Sequence, residues 1–128
     1  MPNERILTDQ APIPRGCYSQ AVRHGKLVFI AGQLPLDASG ALVGSTVAEQ
    51  AVQTLRNVRA ILEAAGGRLE NLAQVTVYIT DLARWAEFNA AYEVFMKSVA
   101  VPPARAVVPV AGLNKGALVE IQAIACLD

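Results

Sequence analysis

Pro102 to Cys126 holds two short apolar runs joined by a turn. The first is Pro102-Pro103-Ala104-Arg105-Ala106-Val107-Val108-Pro109-Val110-Ala111; the second runs from Ala117 through Val119-Glu120-Ile121-Gln122-Ala123-Ile124 to Cys126. Both are rich in β-branched residues, as covered strands are. The link Gly112-Leu113-Asn114-Lys115-Gly116 carries turn residues, so the pattern predicts a β-hairpin. Each arm contains one charge, Arg105 or Glu120. An unpaired charge in a covered strand is costly, so each needs a partner, supplied by the protein or by a ligand.

At 128 residues the chain is long enough for one domain, 1–128, with one core. Hydrophobic residues make up 53% and charged residues 17%, with Lys+Arg and Asp+Glu both at 11. Zero formal charge is a poor basis for binding nucleic acid, which needs a basic face. No apolar run reaches the length of a membrane span, and the polar start Met1-Pro2-Asn3-Glu4-Arg5 lacks a signal core. Cys17 and Cys126 are far apart and lack metal spacing, which points to a cytoplasmic protein with two reduced thiols.

Residues 1–15 contain three prolines and read as an extended arm. Cys17–Val22 reads as a first strand, Arg23–Lys26 as a turn, and Leu27–Ala31 as a buried strand ended by Gly32-Gln33. A loop then runs from Leu34 to Gly40. Thr46-Val47-Ala48-Glu49 has the form of a capping box. Beyond it Ala48, Ala51, Val52, Leu55, Val58 and Leu62 recur at helical spacing until Gly66-Gly67. Val75, Val77 and Ile79 alternate with polar residues, as in a strand with one apolar face. Asp81 is placed to cap a second helix, whose stripe of Trp85, Phe88, Tyr92, Phe95 and Val99 reads as core; Pro102-Pro103 ends it.

Two amphipathic helices can cover one face of a sheet of five or six strands, giving an α+β fold. Nothing remains to cover the other face. Its residues are only mildly polar, so the pattern predicts that copies of the chain cover it.

The chemistry is narrowed by what is missing. The single histidine, His24, sits in a turn with no nucleophile near it in sequence, no cluster suits a metal, and neither a phosphate loop nor a dinucleotide fingerprint occurs. Arg105, Glu120, Tyr18, Ser19 and Gln33 remain. Arg105, flanked by Ala104 and Ala106, can clamp a small carboxylate with two parallel hydrogen bonds, or it can form an ion pair. Glu120 can act as a general base on water, or it can sit on the wetter face of an ordinary strand. Spacing leaves both pairs of alternatives open, and whether the two charges share a face depends on a register that Pro109 can shift.

Four segments in order resemble the Rid family, the reactive intermediate deaminases, also called YjgF-like. They are Gly16-Cys17-Tyr18-Ser19-Gln20-Ala21, Ala31-Gly32-Gln33-Leu34-Pro35, Pro103-Ala104-Arg105 and Val119 to Ala125. The resemblance implies a chorismate-mutase-like fold of about six strands with two helices on one face, assembled as a homotrimer with sites at the subunit interfaces. It implies cofactor-independent hydrolysis of 2-imino and enamino acids, such as 2-iminobutyrate and 2-aminoacrylate, to 2-oxo acids and ammonia. It places a substrate-gripping arginine at Arg105, a water-orienting glutamate at Glu120 and a pocket tyrosine at Tyr18, with Ala31, Gly32 and Val107 lining the substrate. Ala31 stands where many members have Ser, Val107 where many have Cys, and Cys17 where Pro is common. A 2-aminomuconate-type deaminase and a non-catalytic small-molecule-binding trimer are the alternatives the same resemblance leaves, along with a ribonuclease or chaperone-like activity attributed to some relatives.

Overall fold

Helix α1 (Val47–Ala64) begins at the expected capping box. The Thr46 hydroxyl accepts from the Glu49 amide at 3.1 Å, and the Glu49 carboxylate accepts from the Thr46 amide at 3.2 Å. Two of the helix-end donors are thereby satisfied. The helix ends where Gly66 takes φ 89° and the Gly67 amide returns to the Leu62 carbonyl. Ala51, Leu55, Val58, Ile61 and Leu62 are buried along one face. So are Gln50, Thr54 and Asn57, each with hydrogen-bond partners. Asn57 donates to the carbonyls of Leu34 and Leu36, and Gln50 accepts from the Leu118 amide at 2.7 Å. The Asn57 bonds fasten the loop after residue 33 to the helix, and the Gln50 bond fastens the segment before residue 119.

The computed structural model describes residues 2–128. Its strands are β1 (Glu4–Ile6), β2 (Ala21–His24), β3 (Leu27–Gln33), β4 (Leu72–Ile79), β5 (Ala104–Pro109) and β6 (Val119–Cys126). They form one mixed sheet in the order β1-β2-β3-β6-β4-β5. Only β4 and β5 are parallel, and α2 (Trp85–Phe95) makes the crossover that a parallel pair requires. The α+β architecture of six strands and two helices is as the sequence predicts.

The expected hairpin does not form. β4 lies between β5 and β6 and pairs with both, so the two apolar runs are separated by a whole strand. Alternation in Val75–Ile79 cannot reveal that this strand is central, because pairing order leaves no local pattern. The link contains a 3₁₀ turn at Asn114–Gly116, with Lys115 at φ 61°. The first strand is also displaced. Cys17–Gln20 is loop, while the arm contributes β1. The reason is Gln20, buried and bonded to the arm: its Oε1 accepts from the Thr8 amide, and its Nε2 donates to the Thr8 and Pro12 carbonyls. One side chain thus does what a strand ladder would otherwise do. Asp81 caps a 3₁₀ turn at Leu82–Arg84 that precedes α2.

The sheet buries Val28, Ile30, Val75, Val77, Ile79, Val119, Ile121 and Ala123 beneath the helices, where Phe88 and Tyr92 close the core. Trp85, expected in that stripe, is the first residue of α2 and is 44% exposed. The opposite face carries Leu27, Phe29 and Val108, all exposed, with Tyr78 donating to Gln122 at 3.1 Å.

Thr46→Ala removes the reciprocal cap of α1 and should cost about 1 kcal/mol. Denaturant titration should show a lower midpoint with an unchanged slope, since the surface exposed on unfolding is the same.

Candidate active site

Strand β3 carries a bulge. Ile30 pairs with Ala123 and Gln33 with Ile121, so β3 uses one residue more than β6 across this interval. The extra residue falls at Ala31-Gly32, bending the strand where bulges often re-aim side chains. β3 therefore continues through Gln33 rather than ending at Ala31; Gln33 is buried and donates to the Ala31 carbonyl at 3.2 Å.

Glu120 packs against this bulge. A methyl group on Gly32 would lie 3.0 Å from the Glu120 carboxyl carbon and 3.1 Å from its Oε2. A side chain at position 32 would crowd the Glu120 carboxyl and oblige it to shift by a few tenths of an ångström. Glu120 is half-buried, and burial pushes its carboxyl above its ordinary pKa. The main chain brings Tyr18 to the same neighbourhood: the Ala31 amide donates to the Gln20 carbonyl at 2.9 Å, two residues beyond Tyr18. Tyr18 is 59% exposed, and its ring lies over Gly16, where a Cβ would come within 3.2 Å. Ala31, Gly32 and Glu120 thus lie together at the bulge of β3, with the main chain of the Tyr18 loop joined to it at Gln20.

Arg105 belongs to a different place. It pairs in register with Val75, and Val107 with Val77, so both face the helices. Glu120 pairs with Tyr78 and faces the open side. The two charges that the sequence leaves unassigned are therefore on opposite faces of the sheet, and Val107 is half-buried against the core. Arg105 lies at the edge of the sheet against α2. Its Nη2 donates to Asn89 Oδ1 at 2.9 Å, and its guanidinium carbon is 4.7 Å from the centre of the Tyr92 ring and 5.9 Å from that of Phe88. An aromatic face attracts a cation without neutralising it. Among the described residues, no carboxylate oxygen lies within ion-pair distance of Arg105. A cavity of about 310 Å³ opens beside it, lined also by Tyr92, Glu93, Met96 and Pro102.

Asn89, Tyr92 and Phe88 around Arg105 are not flagged by sequence reasoning, which places the aromatics in the core. Both descriptions hold for Tyr92: it is buried, and one face of its ring carries the arginine. Its hydroxyl has no hydrogen-bond partner among the described residues, and burial raises its pKa while the Arg105 charge pulls it down. The polar spacing Asn89-x-x-x-Glu93, one helical turn, is the available signal. Among the described residues no group of three or more potential ligands could hold a metal ion, and no helix is long and apolar enough to cross a membrane.

Known proteins share this sequence pattern and this fold. A family profile described as Endoribonuclease L-PSP matches residues 8–127. The 2-iminobutanoate/2-iminopropanoate deaminase of Salmonella typhimurium is 42% identical over 124 residues, covering 96% of this chain and 97% of that protein. A solved member of the conserved Rid protein family from Yersinia pestis superposes with a TM-score of 0.94 at 35% identity, covering 98% of this chain and all of that one. Escherichia coli TdcF, solved with bound serine, gives 0.93 at 38% identity, covering 98% and 99%. By profile, sequence and fold together, the chain belongs to the Rid (YjgF-like) family, the family of the Endoribonuclease L-PSP profile.

Proposed function

We propose that this protein hydrolyses small 2-imino acids and their enamine tautomers, such as 2-iminobutyrate and 2-aminoacrylate, to 2-oxo acids and ammonia. It does so without a cofactor, in the cytoplasm, at sites completed between copies of a homotrimer. The observation that carries this reading is Arg105: a hydrogen-bonded guanidinium beside an open cavity, with no carboxylate within ion-pair distance among the described residues. Support comes from the named deaminase relative and from the serine bound to TdcF, an amino acid with the same carboxylate group. Zero formal charge speaks against the nuclease that the profile's description names.

The opposite-face placement supports a site shared between two copies. Arg105 of one copy holds the substrate carboxylate, while Glu120, Gly32, Ala31 and Tyr18 of the next surround the reacting carbon. The open face, with Leu27, Phe29 and Val108, is the surface that the copies bury against one another. Val107 takes part through its main chain, since its side chain is turned to the core.

In the reaction, water bonded to Glu120 attacks the carbon of the protonated imine. The C=N electron pair moves to nitrogen, and the water gives a proton to Glu120. Glu120 returns that proton to the amine. The C–N bond then breaks as the hydroxyl oxygen forms C=O, its proton passing to the ionised Glu120 and from there to the departing ammonia. A carboxyl with a raised pKa is better able to hold the proton between these steps. The imine carbon is already electrophilic, so positioning supplies most of the acceleration.

Glu120→Gln should lower turnover of 2-iminobutyrate by roughly 10²-fold with the fold intact, read as ammonia release. The same variant has a defined effect on stability. The raised native pKa means that the folded chain retains a proton that the unfolded chain has lost. That stabilisation is complete below the unfolded Glu value of about 4.3 and disappears as pH rises through the native value. Melting temperatures should therefore favour Glu120→Gln over the native chain at neutral pH, and the gap should close on acidification.

Arg105→Lys keeps the charge but replaces a planar fork with a point donor. Loss of one charge-assisted bond should lower kcat/KM on the order of 10- to 100-fold with little change in melting temperature. A large melting shift with kcat/KM retained would instead make Arg105 a structural cation. Sedimentation at micromolar concentration should give a trimer; a stable monomer would remove both the assembly and the shared site.

A further inference from the structure

We propose that Asn89, itself held by Glu93, is the positioning residue that keeps Arg105 fixed while leaving its charge free for a ligand carboxylate. The inference deepens the proposed function and rests on its reading of Arg105 as the substrate anchor.

Three observations carry it. Arg105 Nη2 donates to Asn89 Oδ1 at 2.9 Å, and Asn89 Nδ2 donates to Glu93 Oε1 at 3.1 Å. An amide has one accepting end and one donating end, a guanidinium only donates, and an ionised carboxylate only accepts. The amide therefore fits between them in a single orientation, and turning it over would break both bonds. The second observation is the aromatic support from Tyr92 and Phe88, which adds attraction without supplying a counter-charge. The third is the position of Glu93. It lines the same cavity as Arg105, yet it makes no ion pair with it among the described residues.

The electrostatic consequence follows from where the negative charge sits. A carboxylate bonded directly to Arg105 would satisfy the cation and compete with any substrate carboxylate. With a neutral amide interposed, Glu93 fixes the geometry from one hydrogen bond further away. Asn89 accepts from one of the five guanidinium N–H groups, leaving a bidentate face for a ligand. The arrangement reads as selection for a small monocarboxylate, because a second carboxylate lying towards Glu93 would meet a like charge.

Asn89→Asp is the direct test, since it keeps the shape and places a carboxylate on Arg105. KM for 2-iminobutyrate and Kd for 2-oxobutyrate, by calorimetric titration, should both rise about 10- to 100-fold, with kcat less affected and the melting temperature retained. Glu93→Ala should raise KM several-fold, and Glu93→Gln should recover part of that loss because its amide oxygen still accepts. A readout independent of turnover is the Arg105 guanidinium NMR signal: rotation about Nε–Cζ should be slow in the native protein and freed in Asn89→Ala. Unchanged KM and Kd in Asn89→Asp, or unchanged rotation in Asn89→Ala, would overturn the assignment. A native protein that neither hydrolyses 2-iminobutyrate nor binds 2-oxobutyrate, yet shows freed rotation in Asn89→Ala, would refute the proposed function and leave the positioning of Arg105 by Asn89 standing.

Discussion

The two-residue periodicity of β6 governs this molecule. Val119, Ile121, Ala123 and Ala125 are all buried, which fixes Glu120, Gln122 and Ile124 on the other side. Since β6 is paired on both flanks, its phase is imposed on β3 and β4, and through β4 on β5. A slip of one residue would turn Glu120 into the core and expose Ile121, so the burial of four apolar side chains fixes the position of one charge. The half-buried carboxylate at the bulge follows from this phase, and so does its separation from Arg105.

Around that strand the polar interior is economical. Gln20, Gln50 and Asn57 are buried, and each is bonded to main-chain groups of loops that have no ladder of their own. A buried amide left without partners is costly, and here the same groups define the loop paths. The Tyr18 loop and the segment after Gln33 keep fixed positions beside the bulge for this reason, although neither belongs to a strand or helix.

Much of the fold was legible in the sequence because it is written in local patterns. The Thr46–Glu49 box, the α1 stripe, the alternation of Val75, Val77 and Ile79, and the stop at Gly66-Gly67 each state a near-neighbour rule, and each is met. Strand order is not local. The insertion of β4 between β5 and β6 depends on the α2 crossover, and turn residues between the two runs imitate a hairpin. Gln20 gave no sign that it would anchor the arm, because a glutamine beside a short apolar run reads equally well as strand. Trp85 fits the aromatic period yet lies at a helix start, where the period no longer determines burial. At the site, Arg105 and Glu120 stood out as isolated charges in apolar runs, Tyr18 remained by elimination, and the motif resemblance added Ala31, Gly32 and Val107. The amide that holds Arg105 was hidden because Asn89 lies between two core aromatics and looks like an ordinary solvent-facing position.

The place of β6 in the sheet also bears on how the chain is made. It is the last of the strands to be synthesised, yet it lies in the middle, joining β1-β2-β3 to β4-β5. Until it leaves the ribosome the two groups of strands have no shared ladder, and β3 and β4 each present an unpaired edge. The sheet can close only after translation has passed Cys126, through contacts that are distant in sequence and slow to form. During that interval the nascent chain exposes two apolar edges of the kind that other chains can pair with. The strand that carries Glu120 is therefore also the one that covers the facing edges of β3 and β4.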